Sequence, residues 1–144
     1  MYKKMMVAYD ESPEAQRALM RAIELAKVMG AELRLVAVCE PLPAYVAYAD
    51  VASPGSKRML AEERQAFYSK LQEEAKALAA ESGMVADGVI VGGDEVQGIV
   101  ESVTSWNADL LVIGRRHHPS PLARMWRGTV HEIAEKTRCN ILAV

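Results

Sequence analysis

The chain has 144 residues, of which 51% are hydrophobic and 25% charged, and its formal net charge is −2. These values are typical of one globular domain with a sizeable core, and they exclude a disordered or collagen-like protein. The near-neutral charge argues against a dedicated nucleic-acid-binding protein, and no apolar run is long enough to span a membrane.

The cellular location is predicted from the amino-terminal residues and the cysteines. The apolar run after Lys3 and Lys4 is too short for the hydrophobic region of a signal peptide. Cys39 and Cys139 are far apart and form no CxxC pair, so we expect two reduced thiols rather than a disulfide. The sequence therefore predicts a cytoplasmic protein.

The first predicted elements are a strand and a helix. The apolar run Met5–Tyr9 predicts a strand that is buried on both faces. Ser12 and Pro13 predict the start of a helix, because serine caps helices well and proline fits the first helical position. Gly30 predicts the end of that helix, because glycine readily adopts the left-handed conformation found there.

The other predicted elements continue the alternation of strands and helices. In chain order they are a strand at Leu33–Cys39, a loop at Pro41–Gly55, a long helix at Ser56–Ser82, a strand at Val85–Val91, a turn at Gly92–Gly93, a helix capped by Asp94, a strand at Leu110–Ile113, a long loop, a helix at Thr129–Lys136 and a strand at Asn140–Val144. Such an order implies parallel pairing and right-handed crossovers. We therefore predict a single α/β domain over residues 1–144, built on a doubly wound, five-stranded parallel sheet.

The candidate site lies at the carboxyl ends of the predicted strands. In an open parallel sheet, ligands bind there, at the point where the strand order reverses. Three segments follow strands one, two and four and qualify by position: Asp10–Ser12, Val38–Pro41 and Gly114–Thr129.

Each of these regions admits a structural as well as a functional interpretation. Asp10 suits a hydrogen bond to a ribose hydroxyl, but a carboxylate at a helix entry also complements the helix dipole. Gly114 allows either a close backbone approach to a ligand or a sharp turn. Gly128 and Thr129 open the last helix, where free N–H groups favour an anion. Thr129 and Glu132 also form a capping-box pattern, which explains Thr129 without a phosphate.

Three segments of the chain resemble the universal stress protein family. They are Val7–Ser12 with the following Ala18-Leu19, Val91–Asp94 before a helix, and Ala108–Gly114. The resemblance extends over the whole chain. It implies a Rossmann-like fold of the adenine-nucleotide α-hydrolase-like kind, with an adenine-nucleotide cleft.

In nucleotide-binding members of this family, the loop after strand four reads G-x-x-G, nine residues, then G-S or G-T. Gly114 matches the first glycine, and Gly128-Thr129 matches the final pair. His117 stands in place of the second glycine, and ten residues (118–127) follow it instead of nine. Carried over by position, the resemblance implies that Asp10 meets the ribose, that the backbone of Val38 meets the adenine, and that Ser12, Gly128, Thr129 and Val130 face phosphates.

The loop after strand four is also rich in basic residues. It holds Arg115, Arg116, Arg124 and Arg127 with His117 and His118. Guanidinium groups can bind phosphate through their side chains where a glycine nest is lost, although a cluster of charges is often only a solvated loop. Two adjacent histidines rarely converge on one ion, so we predict no metal site of the protein's own.

The resulting prediction is a nucleotide-binding site for ATP or AMP, with Mg²⁺ or Mn²⁺ as an optional companion of the phosphates. Its predicted residues are Asp10, Ser12, Val38, Gly114, Arg115, Arg116, His117, Arg127, Gly128, Thr129 and Val130.

Two functions are consistent with these residues. One is a binding module for an adenine nucleotide in stress response or regulation. The other is a dimeric family member that has lost nucleotide binding and acts through protein partners, which His117 and the longer loop favour. No nucleophile–base pair, Walker lysine motif or metal triad is visible, so we predict no enzyme, although slow ATP hydrolysis is compatible with the site.

A phospho-receiver domain shares the predicted layout but is rejected. It needs an acceptor aspartate at the end of strand three and a lysine at the end of strand five. Strand three ends in Val91-Gly92-Gly93, and the fifth strand ends at Val144.

The last predicted strand bears on partners. A strand at a sheet edge exposes unpaired backbone groups unless another element covers it. Family members commonly cover it by pairing two subunits, so the resemblance implies a homodimer through Asn140–Val144, with any further protein partner left open.

Overall fold

The computed structural model describes residues 1–116 and 128–144. In this part of the chain, the strands are β1 (Lys4–Ala8), β2 (Glu32–Cys39), β3 (Ala86–Gly92), β4 (Leu110–Ile113) and β5 (Asn140–Ala143). The helices are α1 (Pro13–Met29), α2 (Val46–Ala52), α3 (Ser56–Glu81), α4 (Glu95–Trp106) and α5 (Thr129–Lys136). None of these helices combines the length and the apolar character needed to cross a membrane.

The strands form one parallel sheet in the order β3-β2-β1-β4-β5. Helices α1 and α3 pack on one face, where Leu19 and Ala75 are fully buried against Met5 and Leu35. Helices α4 and α5 pack on the other face, where Ile133 is fully buried. The doubly wound α/β prediction is therefore confirmed, with β1 in the centre and the strand order reversing on its two sides.

The boundaries predicted from capping residues are confirmed for α1 and for the start of α4. Ser12 has an extended backbone and its Oγ accepts a hydrogen bond from the N–H of Ala15 at 3.1 Å, while Gly30 ends α1 with a φ of 62°. Asp94 caps α4 in the same way, because its carboxylate accepts the N–H of Gln97 at 3.0 Å. Satisfying these otherwise unpaired N–H groups fixes where each helix begins.

The prediction of a loop over Pro41–Gly55 is wrong in part, because this segment contains α2. This helix is seven residues long, has no side-chain cap and buries only Val46. A helix this short shows no apolar stripe in the sequence. It is held by contacts with α3 and by Asp50, whose carboxylate accepts the N–H of Gly55 at 3.1 Å and of Lys57 at 3.0 Å.

The predicted capping box at Thr129 and Glu132 is also wrong. Gly128 is the N-cap of α5, with an extended backbone (φ −75°, ψ 162°), and its carbonyl accepts the N–H of His131 at 2.9 Å. Thr129 therefore already has a helical backbone, so it does not occupy the position from which a side chain caps the helix. No side chain in the described part of the chain caps α5.

The amino end of the sheet carries a stack of cations on an indole ring. The guanidinium of Arg34 lies 4.6 Å from the ring centre of Trp106, and the ammonium of Lys4 lies 5.3 Å from it. Arg34 also pairs with Asp87 on the neighbouring strand at 2.6 Å. Trp106, the last residue of α4, thus contacts charged side chains as well as the core.

Within the described sheet, β3 and β5 are the two edge strands. β5 pairs with β4 on one side, and its Leu142 is 37% exposed. The edge position assumed for the last strand is therefore observed.

Candidate functional site

A cleft of about 1120 Å³ opens at the carboxyl ends of β1 and β4, where the strand order reverses. This is the position at which open α/β sheets bind ligands. Nine of the eleven predicted site residues line it: Asp10, Ser12, Val38, Gly114, Arg115, Arg116, Gly128, Thr129 and Val130. The other two, His117 and Arg127, lie outside the described residues.

Asp10 and Ser12 line the cleft and also organise the start of α1. The Oδ1 atom of Asp10 accepts the N–H of Ser12 at 2.8 Å, and the Oγ of Ser12 accepts the N–H of Ala15. The hydroxyl of Ser12 keeps its own proton available for a ligand oxygen. The structural interpretation of Asp10 is therefore observed, and the helix entry also holds its carboxylate at the cleft wall, while a hydrogen bond to a ribose stays a prediction.

Gly114 has a role that neither sequence interpretation included. A Cβ atom at this position would lie 2.5 Å from the carbonyl carbon and 2.6 Å from the carbonyl oxygen of Glu14. The first turn of α1 thus approaches the end of β4 so closely that only glycine fits without displacement of the backbone. The separation of 100 positions between these residues hides this contact from local sequence patterns.

The amino terminus of α5 opens into the same cleft. Gly128, Thr129 and Val130 line it, and a Cβ atom at Gly128 would meet nothing within 4 Å. Because no described side chain caps this helix, its first N–H groups and its dipole can serve an anion.

Backbone bonds fix the two strands that border this part of the cleft. The N–H of Arg115 donates to the carbonyl of Val144 at 2.7 Å, and the N–H of Val144 donates to the carbonyl of Ile113 at 2.9 Å. On the other border, Val38 packs against α4, since a Cβ atom at Gly98 would lie 3.0 Å from the Val38 side chain. Arg115 and Arg116 are exposed at the cleft and able to reach a ligand.

The sequence prediction missed an acidic wall of the cleft. Besides Asp10, four carboxylates line it: Glu11, Glu14, Glu40 and Glu95. Glu40 directly follows β2, and Glu95 begins α4 shortly after β3. Because open parallel sheets bind ligands at the carboxyl ends of their strands, the positions of both residues could have been recognised from the sequence.

Glu95 is the carboxylate most affected by this surrounding. Although Glu95 is exposed at the cleft, partial desolvation by the surrounding walls raises the pKa of its carboxyl group, and the negative charges of Asp10 and Glu40 raise this pKa further. The positive charge of Arg116 acts in the opposite direction. The cleft therefore has an acidic side at β1, β2 and α4, and two arginines, Arg115 and Arg116, at the end of β4.

No group of three or more histidine, cysteine or acidic side chains within residues 1–116 and 128–144 is arranged to hold a metal ion.

Comparison with known proteins agrees with this architecture. The model of the Universal stress protein family matches residues 1–144. Universal stress protein YxiE of Bacillus subtilis is 29% identical over 148 aligned positions, which cover 100% of this chain and 99% of the relative.

Solved structures with the same fold include complexes with nucleotides. A universal stress protein in complex with cAMP is 25% identical, with a TM-score of 0.75 over 99% of this chain and 97% of that one. An Arabidopsis thaliana protein of the same family with AMP bound is 19% identical, with a TM-score of 0.69 over 99% of this chain and 90% of that one. Taken with the family match over every residue, these findings show that the chain belongs to the universal stress protein family.

Proposed function

We propose that this protein is a binding module for an adenine nucleotide, held in the cleft between the ends of β1 and β4. The observation that carries the proposal is the convergence of four separate segments on one cleft at the point where the strand order reverses. The complexes of family members with cAMP and with AMP support it. In this proposal the protein senses or regulates through binding and does not depend on catalysis, although slow hydrolysis of bound ATP is compatible with it.

Each part of the nucleotide has a partner of suitable chemistry in the cleft. The carboxylate of Asp10 can accept hydrogen bonds from ribose hydroxyls, and the backbone at the end of β2, at Val38, can pair with the adenine edge. The amino terminus of α5 and the guanidinium of Arg116 supply N–H donors and positive charge for phosphate. ATP and AMP are the candidate ligands, and Mg²⁺ or Mn²⁺ would bind to the phosphate groups of the nucleotide.

The direct experiment is to denature the freshly purified protein and to measure released adenine nucleotide by chromatography. Calorimetric titration with ATP and AMP should accompany it. Arg116→Gln should weaken AMP binding about tenfold or more, because it removes a charged hydrogen-bond donor. Arg138→Gln is the matched control, since Arg138 is also exposed but does not line the cleft. Equal weakening by both variants would contradict the assigned site.

The acidic wall favours a second candidate, a family member that has lost nucleotide binding and acts through protein partners. Carboxylates at Asp10, Glu40 and Glu95 repel phosphate, and His117 replaces a glycine of the family's loop. If the purified protein releases no adenine nucleotide and gives no binding heat at millimolar ligand, this second candidate is favoured over the first.

We also propose a homodimer formed through Asn140–Val144. The support is the edge position of β5, whose outer backbone groups face no other strand of the described sheet, and the exposed side chain of Leu142. A cytoplasmic location stays a prediction.

A further inference from the structure

Three of the five carboxylates that line the cleft come from three different parts of the sheet and its helices. Asp10 follows β1, Glu40 follows β2, and Glu95 is the first residue of α4. Arg116, from the end of β4, is the basic residue whose charge acts on Glu95. The acidic groups are therefore brought together by the sheet topology rather than by sequence proximity.

Glu95 is the member of this group that is best placed to change its protonation state. Glu95 is exposed at the cleft, but the surrounding walls partly desolvate its carboxyl group and raise its pKa, and the charges of Asp10, Glu40 and Asp94 raise this pKa further. Arg116 alone among these neighbours lowers this pKa. A phosphate that binds near Arg116 would bring negative charge to the cleft and would neutralise the effect of this guanidinium.

We propose that Glu95 takes up a proton when an anionic nucleotide enters the cleft, and that Glu95 thereby makes binding depend on pH and on the charge of the ligand. This proposal rests on the function proposed above. It assigns to Glu95 a role in selecting the ligand rather than a direct contact with it.

The sign of the effect follows from linkage. Binding of an anion favours the neutral form of Glu95, so the pKa of this group is higher in the complex than in the free protein. Affinity is then lowest above both pKa values, rises as the pH falls between them, and is constant below both. Each pKa unit added by the ligand changes affinity by at most about tenfold.

Other titratable groups face the same cleft, and the experiment has to separate them from Glu95. They are Tyr9, Glu11, Glu14, Tyr68, Arg115 and His131, and Asp94 lies beside Glu95 without lining the cleft. His131 matters most, because protonation of an imidazole would also favour an anion. AMP itself titrates, since the second pKa of a phosphate monoester is about 6. A comparison of wild type with Glu95→Gln cancels all these contributions, because the amide imitates a permanently neutral Glu95.

The test is calorimetric titration of AMP into wild type, Glu95→Gln and Glu101→Gln, at about pH 5.5 and about pH 8, in two buffers of different ionisation enthalpy. Glu101 is the matched control, an exposed glutamate of the same helix that does not line the cleft. At the higher pH, Glu95→Gln should bind AMP about three- to tenfold more tightly than wild type. As the pH falls between the two pKa values of Glu95, wild type takes up a proton with the ligand, and Glu95→Gln should take up fewer protons. This gain should shrink at the lower pH, and it should be larger for ATP than for AMP. Glu101→Gln should behave as wild type.

Equal affinity and equal proton uptake in wild type and Glu95→Gln would overturn the role of Glu95 while leaving nucleotide binding intact. The absence of binding heat in every protein would instead overturn nucleotide binding and this proposal with it. The two failures are therefore distinguishable.

Discussion

Replacement of Gly114 by alanine tests whether the end of β4 must accept the first turn of α1. The added Cβ would lie 2.5 Å from the carbonyl carbon of Glu14 and 2.7 Å from its Cβ. Carbon atoms in ordinary contact are about 3.5–4.0 Å apart, so one element has to move by about 1 Å. The atoms in the way belong to the backbone and Cβ of a helix whose start is fixed by Ser12, so no side-chain rotation relieves the contact.

The expected cost is worked from two opposing effects. Overpacking of a well-packed interior costs about 1–3 kcal/mol, and a clash with backbone belongs near the upper end. Replacing glycine by alanine also lowers the conformational entropy of the unfolded chain, which stabilises the folded state by about 0.4–1 kcal/mol. The free energy of unfolding of Gly114→Ala should therefore fall by about 2 kcal/mol, which corresponds to a urea midpoint lower by about 1 M.

The assay is equilibrium urea unfolding followed by circular dichroism, with Gly128→Ala as the matched control. Gly128 lines the same cleft, but its added Cβ would meet nothing within 4 Å and its φ of −75° suits any residue. Gly128→Ala should therefore change the free energy of unfolding by less than about 0.5 kcal/mol. A Gly114→Ala protein as stable as wild type, or a Gly128→Ala protein equally destabilised, would refute the packing role of Gly114.

Three further outcomes are expected. Deletion of Ile141–Val144 should give a monomer or an aggregate on a sizing column, and a truncated protein that still eluted as a dimer would contradict pairing through β5. Trp106→Leu should lower the free energy of unfolding by about 1–2 kcal/mol, because Arg34 loses its aromatic partner, and an unchanged melting temperature would argue against this contact. The N–H of Gly88, and then the charge of Arg34, lower the pKa of Asp87, so this carboxylate stabilises the fold above its ordinary pKa and loses that effect as the pH falls through the lowered value. Asp87→Asn should thus be less stable than wild type at neutral pH and equal to it in strong acid, and urea midpoints that differed by the same amount at every pH would be inconsistent with this.

The order of the elements was predictable because local signals agreed with one another. β4 runs from Leu110 to Ile113 as predicted, since four apolar residues lie between Asp109 and Gly114. The capped start of α1 at Ser12 was equally clear. In these segments the local preference and the buried position of the residues point to the same structure.

The missed features depend on contacts between distant parts of the chain. α2 is short and buries only Val46, so its packing on α3 cannot be inferred from periodicity. The steric demand at Gly114 comes from Glu14, and the acidic surroundings of Glu95 come from strands that precede it by more than fifty residues. Glycine and threonine are similarly common as N-caps, so the sequence alone does not decide between Gly128 and Thr129. The backbone angles of Gly128 identify it as the N-cap.

The central position of β1 has a consequence for the order in which the molecule assembles. β1 pairs with β2, the next strand to be synthesised, but its other neighbour β4 follows much later, and the Asp109 carboxylate that accepts the N–H of Lys3 is 106 residues away. While the ribosome is still adding α4, the strands already made can form a three-stranded sheet in which β1 is an open edge and Met6, which packs on the α4 and α5 face, is uncovered. Such an edge invites pairing with a second nascent chain. β1 is thus central in the finished sheet but lies at an open edge while the chain is being synthesised. Slow elongation or a shortage of chaperones should therefore reduce the yield of folded protein more than the stability of the molecules that do fold.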